Sequence, residues 1–122
     1  AVPEGADPMG LEKLGNIARV DLGPRDGGCT FSLNAQELLL AGAPDDEAVK
    51  GKGVVRIGGE LINLTAENGG LGAIYAGPTM TAEGVTVKVV PAAGNDAMRT
   101  ADLYVAADGK QRKFAGGQWA CG

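Results

Sequence analysis

The sequence predicts an all-β domain, a small antiparallel β-barrel or sandwich of about eight strands. Short runs in which apolar and polar residues alternate recur along the chain, the pattern of a strand with one buried face. Turn-forming pairs separate these runs at short spacing. Glycine is the third sign: 21 of 122 residues, against a usual share of about 7%. The glycines lie between apolar runs with no collagen period, as suits many strands joined by tight turns. Aromatic residues are few, so Val, Leu, Ile and Ala must build most of the core. A chain of this length is one domain with a single core. Residues 1–24 are read as an N-terminal arm or short helix and residues 25–122 as a single β domain.

In the first segment, Asp7 is a candidate N-cap with Pro8 at the first helical position. Leu11, Leu14 and Ile17 would then lie near one face, while Gly10 and Gly15 favour a flexible arm instead. From Cys29 the period becomes two, with Cys29, Phe31 and Leu33 on one face. Asn34 to Gln36 read as a hairpin loop leading into a strand over Leu38 to Leu40; a capping box from Asn34 to Glu37 is the alternative. The polar stretch from Ala43 to Gly53 reads as a loop. Val55 and Ile57 then point one way with Arg56 opposite, Gly58-Gly59 signals a hairpin, and Ile62 and Leu64 continue the returning strand.

The segment TAENGG (residues 65–70) reads as another turn, opening onto LGAIYAG, residues 71–77. As a strand this stretch places Leu71, Ala73 and Tyr75 on one face and Ile74 on the other. Val85, Val87 and Val89 form the clearest alternation in the chain, with Thr86 and Lys88 outward. Pro91 to Thr100 reads as a loop. Asp108-Gly109, a favoured pair for a primed turn, centres the last hairpin. Gly116-Gly117 bends the final strand, and Trp119 shares a face with Cys121, which places the indole near that sulfur.

Composition excludes several functions. The chain has no histidine, hence no Ser-His or Cys-His nucleophile pair and none of the commonest metal ligand. Its one serine, Ser32, alternates with Phe31 and Leu33 as an outward strand residue. Asp45, Asp46 and Glu47 stand beside Lys50 and Lys52 as a solvated charged turn. No catalytic residue, metal site or cofactor is expected, and the chain reads as a non-enzyme. A net charge of −4 and the absence of a basic cluster larger than Lys110, Arg112 and Lys113 speak against nucleic acid. No apolar run is long enough to span a membrane. Asn63-Leu64-Thr65 matches a glycosylation sequon but falls inside an expected strand.

The two cysteines, Cys29 and Cys121, are too sparse for a zinc site. They read as one disulfide joining the first strong strand to the last, or as two buried free thiols. A disulfide closing so long a loop contributes roughly 4 kcal/mol in the chain-entropy model and points to the periplasm or cell exterior. The opening from Ala1 through Pro3, Glu4, Gly5, Asp7 and Pro8 reads as the early mature segment or tether of an exported protein, free or lipid-anchored upstream of Ala1. The expected function is that of an exported, non-catalytic β domain of the bacterial envelope, binding a protein or glycan partner through its loops.

LGAIY, residues 71–75, together with Cys29 and Cys121, resembles the family of periplasmic and membrane-bound inhibitors of c-type lysozyme. Those are small exported antiparallel β-barrels stapled by an early and a late cysteine, with a Ser-Gly-x-x-Tyr loop that enters the lysozyme cleft. The resemblance implies binding roles for Gly72, Ala73 and Tyr75, assisted by Lys88, and a lysozyme as the alternative partner. Leu71 stands where the family has its serine, so the hydrogen bonds of that hydroxyl have no counterpart here.

Overall fold

The computed structural model describes residues 1–122 and contains nine strands and one short helix. The strands are β1 (Leu11–Glu12), β2 (Gly27–Leu33), β3 (Gln36–Ala43), β4 (Lys50–Ile57), β5 (Glu60–Gly69), β6 (Thr79–Ala82), β7 (Val85–Pro91), β8 (Met98–Ala107) and β9 (Lys110–Cys121). The helix, α1 (Leu71–Ala76), lies between β5 and β6. From β2 to β9 each strand pairs antiparallel with the next, and β9 pairs back onto β2. The result is a closed eight-stranded up-and-down barrel, which leaves no open sheet edge in the ring.

The tight turns behave as their residues require. Asn34-Ala35, Gly58-Gly59 and Asp108-Gly109 all have positive φ, the backbone demanded of both central residues in a type I′ hairpin. Ala35 is the exception in chemistry, since alanine at φ 65° lacks the freedom of glycine and the side-chain help of asparagine. Ala35→Gly is therefore expected to leave the fold intact and raise stability by up to about 1 kcal/mol, read from urea midpoints.

Inward residues fill the barrel. Phe31, Leu39, Val55, Ile57, Leu64, Met80, Val87, Val89, Leu103, Val105 and Trp119 are all buried, and no polar or charged residue is buried with them. The alternation of Val85, Val87 and Val89 is as expected from sequence, with Lys88 outward. Several glycines serve this narrow interior. A Cβ at Gly117 would stand 2.5 Å from the Phe31 ring and 2.6 Å from the Ser32 carbonyl oxygen. The carbonyl is backbone and cannot step aside, so Gly117→Ala is expected to cost about 1–3 kcal/mol in denaturant melts. Beside it, Gly116 has a positive φ and donates its N–H to Asp102 Oδ1 at 3.0 Å where the β8–β9 register shifts. This is the bend anticipated at Gly116-Gly117, in the form of a β-bulge.

The two barrel ends are closed differently. The N-terminal arm covers the end that carries the tight turns. Val2, Ala6, Met9 and Leu11 pack on the main core, and Arg112 donates to the Met9 carbonyl at 3.3 Å. β1 pairs with the end of β4 that runs past its pairing with β3, through Leu11↔Ile57 and Glu12↔Arg56. Arg56 then holds the arm by donating to the carbonyls of Leu14 (2.9 Å) and Asn16 (3.5 Å), while its other Nη braces the Gly59 carbonyl of its own hairpin (2.7 Å). Leu14 and Leu22 form a small second cluster against Val54 on the outside of the wall. The short helix expected to start at Asp7 does not form. Asp7 Oδ1 accepts the Met9 N–H at 3.0 Å and its carbonyl accepts the Gly10 N–H, which makes a local turn rather than a helix N-cap. Gly15, at φ 64°, breaks any continuation.

Three expected loops are shorter than the sequence suggests. β4 begins at Lys50, inside the stretch read as a loop to Gly53. β5 runs through TAENG to Gly69, and β8 begins at Met98. In each case pairing with a neighbouring strand, such as Lys50↔Gly69 and Met98↔Ala120, overrides polar, turn-like composition. No helix is long and apolar enough to cross a membrane.

Candidate functional site

The end of the barrel away from the arm carries α1, the loop between β7 and β8, and the meeting point of β2 with β9. Residues 71–76 are neither strand nor loop. Leu71–Ala76 is a helix of six residues between Gly70 and Gly77, both at positive φ. Leu71 and Ile74, one turn apart, are its buried residues and plug the barrel mouth. A Cβ on Gly51 would meet Ile74 Cδ1 at 2.8 Å, so the glycine in the wall makes room for the plug.

The Ile74 carbonyl is the latch of this end. It accepts the Trp119 Nε1–H at 3.1 Å and the Gly77 N–H at 3.2 Å. Sγ of Cys29 lies 3.9 Å from the same oxygen. Cys29 and Cys121 face each other across the β2–β9 seam and are joined by a disulfide. The indole and the staple thus share one site, as their positions in the sequence imply.

An open cleft of about 690 Å³ lies between α1 and the 92–97 loop. Gly72, Tyr75 and Ala76 form one wall and Pro91 to Ala97 the other, with Arg99 and Cys121 also lining it. Arg99 ties the two walls together. Its Nη1 donates to the carbonyls of Ala92 (3.2 Å) and Gly94 (3.1 Å), and its Nη2 donates to the carbonyl of Tyr75 on α1. Its Nε is buried and has no partner.

Of the residues singled out from sequence, Gly72 and Tyr75 line this cleft, while Ala73 is half-buried on α1 outside the lining. Lys88 lies elsewhere. It is exposed on the outer face of β7, with Tyr104 opposite it and Lys113 on the next strand. There Asp102 first, and then Tyr104, hold the exposed Lys113 ammonium above its ordinary range. Arg99, Asn95 and Asp96 escape sequence reasoning because they close a polar loop without a motif. Only the topology shows that this loop faces α1. No three His, Cys, Asp or Glu side chains gather in a group that could hold a metal ion. No family model, curated protein or solved structure matches the chain.

Proposed function

We propose that the protein is an exported, non-catalytic binding domain of the cell envelope, and that it takes its protein or glycan partner in the cleft between α1 and the 92–97 loop. The observation that carries this reading is the cleft itself. It is a 690 Å³ concavity at the mouth of a barrel whose interior is filled, walled by small residues with a few polar groups. A single side-chain carboxylate, Asp96, lines it, so the paired carboxylates of a glycosidase are not assembled there. The disulfide supports placement in an oxidising compartment.

Gly72→Leu provides the test. Nothing lies within 4 Å of the Cβ position at Gly72, so leucine fills the cleft without strain. It also gains helix propensity, and stability is expected to stay level or rise by up to about 1 kcal/mol. NMR spectra of the labelled protein, titrated separately with envelope glycan fragments and envelope protein fractions, should shift at residues 72–76 and 91–99. The shifts should vanish in Gly72→Leu. Shifts confined to another surface refute the cleft as the site.

Inhibition of c-type lysozyme is the second reading. The closed barrel with an early–late staple, and the presence of Gly72 and Tyr75 at its mouth, favour it. Against it, α1 turns Leu71, which stands where the family has its serine, into the core. A muramidase assay decides: no loss of lysozyme activity at large molar excess removes this reading and leaves the first in place.

A further inference from the structure

We infer that the cleft is a saccharide site selective for a sugar that carries a carboxylate; this rests on the cleft being the binding site. The guanidinium of Arg99 has five N–H donors, of which three go to backbone carbonyls. The Nε–H is buried and has no partner, which leaves one Nη2–H as the donor free for a ligand, and no carboxylate neutralises the charge, since the chain's one ion pair is Lys113–Asp102. A half-buried cation held by carbonyl dipoles alone is completed by an anion, and a carboxylate fits a guanidinium best.

The rest of the lining suits a polar ring. The side chains of Asn95 and Asp96 are exposed on the rim and make no hydrogen bond within the protein, so they are free to pair with hydroxyl groups. Tyr75 supplies an aromatic wall, its hydroxyl lying over Gly27, where a Cβ would come within 2.6 Å of it. An extended peptide finds less. No Leu, Ile, Val or Phe lines the cleft to receive its side chains. The backbone at the adjoining strand end is already paired, through Cys121 N–H to the Ala97 carbonyl and Gly122 N–H to the Gly28 carbonyl. Strand addition is therefore closed to it.

Titration with a diuronate, its neutral disaccharide counterpart and a tripeptide with a free carboxylate tests the inference, followed by NMR and calorimetry. The diuronate should shift the 72–76 and 91–99 resonances and bind at least about tenfold tighter than the neutral disaccharide or the tripeptide. Arg99→Gln should abolish that preference. Because Arg99 also ties the walls, Asp96→Ala and Asn95→Ala, both on the exposed rim, serve as the second pair, each weakening diuronate binding several-fold with unchanged melting. Equal binding of diuronate and neutral sugar, tighter binding of the tripeptide, or silence of the cleft resonances at about 10 mM diuronate overturns the acidic-sugar assignment. If the neutral sugar or the tripeptide still shifts the cleft, the cleft reading survives that failure. If diuronate binding persists unchanged in Gly72→Leu, both fall.

Discussion

Replacing both Cys29 and Cys121 with alanine is expected to lower the unfolding free energy by about 4–5 kcal/mol, the chain-entropy value for a loop of this length. For a domain of this size that corresponds to a fall in Tm of roughly 15–20 °C. The position of the bond makes the effect large. The β2–β9 seam closes the barrel, yet it is paired over only four residues, Cys29 to Ser32 against Gln118 to Cys121, whereas β8–β9 pairs over nine. This seam joins strands at opposite ends of the chain, so its closure carries the greatest loop entropy of any pairing in the ring. Without the bond, the seam opens where it covers Phe31 and Trp119, both fully buried. Trp119 is the only tryptophan, so its emission reports the opening directly. Thermal and urea melts of wild type and double variant, followed by fluorescence, measure the difference. A double variant within about 1 kcal/mol of wild type shows that strand pairing alone holds the seam. Reduced wild-type protein should match the double variant, which checks that the loss comes from the bond and not from the alanines.

The parts of this fold that could be read from sequence are those decided locally. Gly58-Gly59 and Asp108-Gly109 announce their hairpins because few other residue pairs tolerate positive φ twice in succession. Val85, Val87 and Val89 announce a half-buried strand because period two allows no other packing of that pattern. With only two cysteines, both in strand-like segments, the sequence offered one disulfide or two free thiols, and the fold joins Cys29 to Cys121. What escaped was set by tertiary context. LGAIYA satisfies both a strand and one helical turn, since Leu71 and Tyr75 can share a face in either. The barrel mouth decides, by burying Leu71 and Ile74 together and offering the Trp119 N–H to the Ile74 carbonyl. Asp7-Pro8 has the chemistry of a helix start, yet the arm gains more by lying across the turn end of the barrel, where Val2, Ala6 and Met9 meet the core. Arg99 was invisible for a related reason. Nothing in its neighbours along the chain reveals that the carbonyls it holds belong to two elements 24 residues or less away.

The latch at Ile74 leads to a graded expectation at Trp119. Trp119→Ala removes the largest fully buried side chain and leaves a cavity between Phe31 and α1, at an expected cost of about 3–5 kcal/mol. Trp119→Phe keeps most of the apolar volume and deletes the Nε1–H donor to the Ile74 carbonyl, at an expected cost of about 1–2 kcal/mol. The two variants should differ in where the loss appears. In Trp119→Ala, the whole barrel weakens, and hydrogen-exchange protection falls across the strands that line the core. In Trp119→Phe, the Gly77 N–H still caps the Ile74 carbonyl within the last turn of α1 and Arg99 still holds the Tyr75 carbonyl, so α1 loses only its hydrogen bond to β9. Protection should then fall first at residues 71–77, with β7, β8 and β9 close to wild type. Such local loosening moves the wall that carries Gly72 and Tyr75, and ligand affinity at the cleft should drop more than global stability does. Equal loss of protection in α1 and the barrel strands in Trp119→Phe would show that the helix is one cooperative unit with the core, and that the indole hydrogen bond is not what fixes the cleft.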